Sequence, residues 1–213
     1  MLDDKRTLLL DMDGTLLDLA FDNHFWTEQV PAALAAARGE HLNDVKQELV
    51  AAIRASEGTL AWYCLEHWSR ELNFDLVAFK ETVANRIRFL DGARDFLARA
   101  RAAGFNLVLV TNAHPETLRI KDQQTNVTQL VDDVVCSHRV GLPKEDERFW
   151  PGLLDRVGEA PERLLMVDDS APVLATASRF VPVTAIAKPD SRRPTRDMSP
   201  YPSVERIVDL LAE

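Results

Sequence analysis

Two acidic residues, Asp11 and Asp13, directly follow an apolar run in the segment TLLLDMDGT at residues 7–15. A carboxylate can attack phosphorus and form an acyl phosphate, which divides one difficult displacement into two easier ones. Asp11 is the natural nucleophile. Gly14 permits a sharp turn away from the strand, which brings Asp13 near the leaving oxygen. There Asp13 would protonate the departing alkoxide and later deprotonate the hydrolytic water.

Polar residues suited to the same chemistry follow three later apolar runs, at Thr111 and Asn112, at Lys144, and at Asp168 and Asp169. Thr111 offers a hydroxyl to a phosphoryl oxygen, and Lys144 offers a compact positive charge to the phosphate and to the nucleophile. Each also has an ordinary structural role open to it. The Thr–Asn and Asp–Asp pairs suit helix caps, and a lysine in a loop is usually solvated.

The four acids also predict a cation. Two like charges about 4 Å apart repel by roughly 1 kcal/mol in water and about 4 kcal/mol at an effective dielectric near 20. Carboxylates gathered in this way need a metal ion, and hard oxygen ligands suit Mg²⁺. The predicted ligands are Asp11, Asp13, Asp168 and Asp169.

Strands and helices must alternate to bring these residues together. Short apolar runs predict strands at Thr7–Leu10, Phe105–Val110, Val131–Cys136, Leu164–Val167 and Val181–Ala187. Runs without alternation are typical of strands buried on both faces. Helical periodicity between them, at 93–103, 116–126, 147–157 and 172–180, favours a doubly wound, Rossmann-like α/β fold. Ligands then bind beyond the carboxyl ends of the strands.

Residues 21–89 break this alternation. Four amphipathic helices are predicted there, over 23–38, 43–56, 60–72 and 76–88. Nearly seventy residues far exceed the roughly 2–6 of an ordinary strand-to-helix connection. The chain therefore divides into a core, 1–20 and 90–213, and an inserted helical domain, 21–89. A proline- and charge-rich loop, 188–202, precedes a predicted closing helix.

The composition of the chain disfavours some classes of binding partner and some cellular locations. The net charge of −9 over 213 residues disfavours nucleic acid, which is itself polyanionic. No apolar stretch approaches the roughly 20 residues of a membrane span, and the N-terminus has no signal peptide pattern. Cys64 and Cys136 have no metal-ligand spacing and are interpreted as buried thiols of a reducing compartment, with a disulfide as the alternative. The expected location is the cytoplasm, and the oligomeric state is left open.

The segments DMDGT at 11–15, LVTN at 109–112, Lys144 and VDDS at 167–170 resemble, in order, the four motifs of the haloacid dehalogenase (HAD) superfamily. The resemblance implies an α/β core with a small helical cap, Mg²⁺ and an aspartyl-phosphate intermediate. Dehalogenating members typically lack the second acid, so Asp13 points to phosphate esters. One departure concerns Glu145, since a proline commonly follows the third-motif lysine.

A narrower resemblance, to bacterial purine nucleotidases described as GMP/IMP nucleotidases, rests on LLDLAFDNHFW, WYCLEHWS, TNAHPETL and PKEDERFW. It implies purine nucleoside monophosphates as substrates. Asn112, His24 and Trp62 are the candidate substrate-binding residues. Trp62 could stack on a base, although aromatic residues at helical spacing are more often core, and a surface position is the alternative for His24.

Two other functions fit parts of the pattern. A phosphatase or mutase for sugar phosphates or phosphoglycolate would share every core residue, so only the cap and a substrate panel separate it from a nucleotidase. A phospho-accepting signalling receiver also combines clustered acids, a threonine and a lysine on a parallel sheet. It needs no helical insert, however, and its accepting aspartate should stand apart from the acidic pair.

Overall fold

The core is a parallel six-stranded sheet, seen in a computed structural model that describes residue 2 and residues 4–211. The strand order is β3-β2-β1-β4-β5-β6, so β1 is central and its neighbours are β2 and β4. The strands are β1 (Thr7–Leu10), β2 (Asn106–Thr111), β3 (Asp133–Cys136), β4 (Leu164–Asp168), β5 (Val183–Ile186) and β6 (Ser203–Val204). The five predicted strands are all present, and their ends differ from the prediction by at most two residues.

Both faces of this sheet are buried, which explains the uninterrupted apolar runs. Leu8 and Leu10 of β1 pack into a cluster that includes Phe96, whereas Leu9 packs on the opposite face with Trp150. Helices therefore cover both sides, as the doubly wound prediction requires.

The helices are α1 (Ala20–His24), α2 (Val30–Arg38), α3 (Leu42–Ser56), α4 (Leu60–Tyr63), α5 (Leu65–Glu71), α6 (Leu76–Val83), α7 (Ala93–Ala102), α8 (Pro115–Thr125), α9 (Ser137–Val140), α10 (Phe149–Val157) and α11 (Ala171–Ala177). In the described part of the chain, none of these helices combines the length and the apolar character that a membrane crossing requires.

The segment between β1 and α7 is helical, as predicted, with three local differences. The fourth predicted helix ends early, at Val83, and a 3₁₀ turn, Ala84–Arg86, follows it. The first predicted helix contains a π-helical turn, Phe25–Gln29, between α1 and α2. The third is interrupted at Cys64, whose extended backbone separates α4 from α5. Phe25 and Trp68 from this segment share a buried cluster with Leu8 of the sheet, so the insert packs on the core. The domain ranges stay a prediction, and they include residues 1, 3, 212 and 213, which lie outside the described residues.

The predicted closing helix forms only as a short 3₁₀ helix, and a strand precedes it. After the loop 188–202 the chain forms β6 and then a 3₁₀ turn, Ile207–Leu211. The β5 backbone accounts for the difference, because the N–H groups of Ala185 and Ala187 donate to Pro202 and Val204. Residues 202–205 thereby supply hydrogen-bond partners along the outer side of β5, which would otherwise be an exposed edge.

The segment that leaves the sheet for the insert lies beside the segment that returns from it. Leu17, which leaves the sheet, pairs in antiparallel fashion with Phe89, which returns to it. Next to this bridge, Asp18 accepts from the Arg88 guanidinium at 3.0 Å and from the Ser191 hydroxyl at 2.6 Å. Asp18 is therefore a structural residue that ties the two crossings together.

Candidate active site

Three polar residues converge because their strands are neighbours. Asp11 follows β1, Thr111 ends β2 and Asp168 ends β4, and the parallel register places all three at one edge of the sheet. The Asp11 N–H donates to the Val167 carbonyl at 3.0 Å, which extends the β1–β4 ladder by one residue. Asp11, Thr111 and Asp168 are all buried.

A tight turn follows Asp11 and brings the next acids close. The Met12 carbonyl accepts hydrogen bonds from the N–H groups of Leu16 and Leu17. Gly14 has a φ of +88°, and a Cβ built there would lie 2.6 Å from the Asp169 Cγ. Only glycine combines this backbone conformation with such a close approach of the Asp169 carboxylate.

We expect Gly14→Ala to lower the free energy of unfolding by more than the roughly 1–2 kcal/mol of a left-handed alanine, because the Asp169 carboxylate must also move. Gly104→Ala is the matched control, since its φ is +86° and no atom of the described residues lies within 4 Å of the added Cβ. Urea denaturation compares the two variants. Equal losses of stability would show that moving the Asp169 carboxylate costs no free energy.

Lys144 lies at the centre of the site. Its Nζ donates to Asp11 Oδ1 at 2.5 Å, to Asp168 Oδ2 at 2.7 Å and to the Val110 carbonyl at 3.1 Å. Burial acts to lower the pKa of Lys144, but the two carboxylates outweigh it and raise the pKa, so this side chain is a fixed cation. The predicted loop lysine is thus fully buried.

Three carboxylates form one acidic cluster. An oxygen of each of Asp11, Asp168 and Asp169 lies within 4.8 Å of the others. Burial raises the pKa of Asp11 well above its ordinary value, with Lys144 opposing and the neighbouring acids adding to the rise. Burial and Asp168 raise the pKa of Asp169 to about 7. Close acids with elevated pKa values are a known property of functional sites.

Asp13 does not join this cluster, although it was predicted to be a metal ligand. Its Oδ1 accepts from Lys121 Nζ at 2.5 Å, and the same ammonium bonds Asp22 Oδ2 at 2.5 Å. Lys80 donates to the other oxygen of Asp22 at 2.8 Å. The competing cation explains why the Asp13 side chain is held away from the other acids.

Three further residues of the site are not indicated by the sequence pattern: Lys121, Asp22 and Lys80. Lys121 and Lys80 are almost fully buried, and lysine is rarely buried unless paired. They come from α8 and α6, so their meeting depends on how the insert packs against the core. Their sequence signal is weak because each is a single lysine on an otherwise ordinary helix.

Asn112 holds the Lys144 loop. Its Oδ1 accepts from the Lys144 N–H at 3.0 Å, and its Nδ2 donates to Glu145 Oε2 at 2.8 Å. Glu145 also accepts from the Tyr63 hydroxyl at 2.5 Å. Glu145, which stands where a proline is common in the family, therefore links the helical insert to the loop that carries Lys144.

We expect Tyr63 and Glu145 to be energetically coupled. A hydrogen bond to a charged group contributes about 1.5–3 kcal/mol. A double-mutant cycle of Tyr63→Phe and Glu145→Ala, followed by denaturant unfolding, should give a coupling free energy of at least about 1 kcal/mol. Additive effects would mean that the contact contributes nothing to stability.

Asp169 has a basic partner from the proline-rich loop. Arg196 Nη2 donates to the Asp169 carbonyl at 2.7 Å and to its Oδ2 at 3.2 Å. This loop therefore closes one side of the acidic cluster.

The acidic cluster opens into a cavity of about 920 Å³ between core and insert. Asp11, Asp13, Asn112 and Trp62 all line it. His24 does not. The neighbouring Asn23 lines the cavity, and because successive helical residues are turned by about 100°, His24 faces Arg86, with its Nε2 3.3 Å from the Arg86 Nη1.

Comparison with known proteins decides the family. The family model of the haloacid dehalogenase-like hydrolases matches residues 5–180. The chain belongs to this family. It is a HAD phosphatase, a phosphoric monoester hydrolase with an α/β Rossmann-like core, and the predicted fold and enzyme class are confirmed.

Similar proteins and structures support the same family assignment. It is 36% identical over 210 residues to the Escherichia coli GMP/IMP nucleotidase YrfG, covering 98% of this chain and 95% of the relative. It is 33% identical over 118 residues to a Thermus thermophilus phosphoserine phosphatase, covering 55% of this chain and 47% of the relative. A HAD phosphatase from Thermococcus onnurineus has the same fold, with a TM-score of 0.80 at 20% identity over 96% of this chain and 95% of its own.

Proposed function

We propose that this HAD phosphatase is a Mg²⁺-dependent 5'-nucleotidase that hydrolyses purine nucleoside monophosphates through an aspartyl-phosphate on Asp11. The observation that carries the proposal is the position of Asp11, on the central strand, bonded to Lys144 and opening into a cavity between core and cap. The cap is the insert 21–89.

In the first step the Asp11 carboxylate attacks the phosphorus atom, and the bond from phosphorus to the 5'-oxygen breaks. Lys144 holds Oδ1, and no hydrogen bond to Oδ2 is seen among the described residues, so Oδ2 is the attacking atom. Asp13 enters protonated and gives its proton to the departing oxygen. Thr111 lines the cavity and would donate its hydroxyl to a phosphoryl oxygen.

In the second step Asp13, now ionised, takes a proton from water. The water oxygen attacks the phosphorus atom, the bond to Asp11 breaks, and inorganic phosphate leaves. Asp11 is regenerated as a carboxylate, and the proton now on Asp13 restores the starting state. Burial raises the pKa of Asp13, with Lys121 opposing, which favours the protonated form that the first step needs.

The donor set at the acidic cluster fits Mg²⁺. Three buried carboxylates with oxygen atoms within 4.8 Å outnumber the two cations that touch them, Lys144 and Arg196, and carboxylate oxygens are the ligands that Mg²⁺ prefers. Asp11, Asp168 and Asp169 would hold the ion. When bound, Mg²⁺ neutralises these acids and the phosphate charge. Arg196 keeps Asp169 in place for this role.

Two observations support a nucleotide as substrate. The cavity is large enough for a drug-sized ligand, and Trp26 and Trp62 line its cap side. The relative that matches nearly the whole chain is named GMP/IMP nucleotidase. The cytoplasm stays the proposed compartment, since both cysteines are free.

The test is phosphate release from a panel of purine and pyrimidine monophosphates, sugar phosphates and phosphoglycolate, with Mg²⁺ or with EDTA. We expect selective release from GMP and IMP that EDTA abolishes. Release from sugar phosphates alone would keep the core chemistry and overturn the nucleotide assignment.

Trp62→Ala should raise KM for GMP, because stacking on an aromatic ring contributes about 1–3 kcal/mol per base. Trp62→Phe keeps an aromatic ring and should raise KM much less.

A further inference from the structure

Three side chains of metal-ligating type meet away from the acidic cluster, where the cap packs on the core. One ligand atom from each of Cys64, His114 and His138 lies within 4.8 Å of the other two. The mechanism above uses none of these side chains. We refer to them as the thiol–imidazole cluster.

Three separate elements hold this cluster. Cys64 is the extended residue between α4 and α5, His114 directly precedes α8, and His138 lies in α9 after β3. Cys64 was predicted to be buried, but it is only half-buried and is a free thiol. Its Sγ accepts a hydrogen bond from the His67 N–H at 3.3 Å.

His138 has a lone pair available for a ligand. Its Nε2 is buried and has no hydrogen-bond partner among the described residues. The ring packs edge-on against that of His114, with the two centroids 4.9 Å apart. Buried polar atoms in proteins normally have a partner, so the unpartnered nitrogen points to a missing ligand.

His114 is also available. Its Nδ1 accepts a long bond from the Glu116 N–H at 3.3 Å, and its Nε2 lies 4.0 Å from Glu66 Oε2. Neither nitrogen makes a strong bond. Burial lowers the pKa of His114, and burial together with His114 lowers the pKa of His138 to about 4, so both rings are neutral near pH 7. Neutral imidazole is the form that binds metals.

We propose that Cys64, His114 and His138 bind a transition-metal ion of the Zn²⁺ class, at a site separate from the carboxylate cluster. Thiolate sulfur and imidazole nitrogen suit Zn²⁺, whereas Mg²⁺ takes oxygen ligands. Three protein ligands leave the fourth tetrahedral position to water or to the exposed Glu66 carboxylate. Because Cys64 belongs to the cap and both histidines to the core, the bound ion joins the two.

The test is a Co²⁺ titration of the full chain with Mg²⁺ in excess to occupy the carboxylate cluster. We expect one equivalent of Co²⁺ to produce a thiolate-to-metal charge-transfer band and tetrahedral ligand-field bands. Cys64→Ser should abolish the charge-transfer band, and His138→Gln should weaken binding by at least about 10- to 100-fold. Cys136→Ser and His41→Gln are the matched controls and should leave the spectrum unchanged.

A spectrum without the charge-transfer band, or one that survives in Cys64→Ser, would overturn the site. Should a variant fail to fold, the wild-type chain still decides the question. Zn²⁺ should slow alkylation of Cys64 by iodoacetamide by at least about tenfold, because a metal-bound sulfur is shielded from attack. Cys136 serves as the internal reference, and an unchanged Cys64 rate would count against binding.

Discussion

Asp11→Asn should reduce turnover by at least about 10⁴-fold, the scale seen when a nucleophile is removed from an enzyme. The amide cannot form the acyl phosphate. The fold should survive, because asparagine is nearly isosteric and Lys144 keeps its 2.7 Å bond to Asp168. Initial-rate measurements with GMP and Mg²⁺, together with circular dichroism, would establish both points.

Asp22→Asn is the matched control for this substitution. Asp22 is a half-buried acid that is also bonded to a lysine, but it lies beyond Asp13 and, among the described residues, makes no hydrogen bond to the acidic cluster. We expect it to retain far more activity than Asp11→Asn. Substantial turnover by Asp11→Asn would contradict covalent catalysis at this residue.

Lys144→Met should destabilise the metal-free protein by about 3–5 kcal/mol, the cost of breaking a buried ion pair by removing one partner. Asp11 and Asp168 would then be buried together with no cation between them. We expect Mg²⁺ to restore part of the lost stability, since an ion that binds only the folded state stabilises it by mass action. Denaturant unfolding with and without Mg²⁺ measures both effects.

Lys80→Met provides the comparison, because Lys80 is equally buried but its partner Asp22 keeps a second bond to Lys121. Its loss of stability should be smaller and should not respond to Mg²⁺. Equal losses in the two variants would mean that burial of the lysine, rather than relief of acid–acid repulsion, sets the effect.

The sheet was predictable because its strands are buried on both faces. Runs such as Leu8–Leu10 have no polar alternation, and the rule that ligands bind at strand carboxyl ends places Asp11, Thr111 and Asp168 together. The strand before the short closing 3₁₀ helix was not predictable. Residues 203–204 form an edge strand because the backbone of β5 offers them hydrogen-bond partners, a long-range condition that local periodicity does not record.

The residues of the site also fall into a predictable and an unpredictable group. Residues that directly follow strands were identified, whereas residues that reach the site through packing of the insert were missed. Lys121 holds Asp13 across 108 positions in sequence, and Tyr63 reaches Glu145 across 82. His24 was misplaced for a related reason, since a one-residue step along α1 turns a side chain from the cavity toward Arg86.

The bridge of Leu17 with Phe89, secured by Asp18 and Arg88, has an evolutionary consequence. A segment whose two ends meet at one place can be lengthened, shortened or exchanged without moving any strand, as in tolerated domain insertions. Recombination at this bridge would give a new substrate range to an unaltered phosphoryl-transfer centre. The bridge is thus the natural junction for chimeras that carry the cap of another relative.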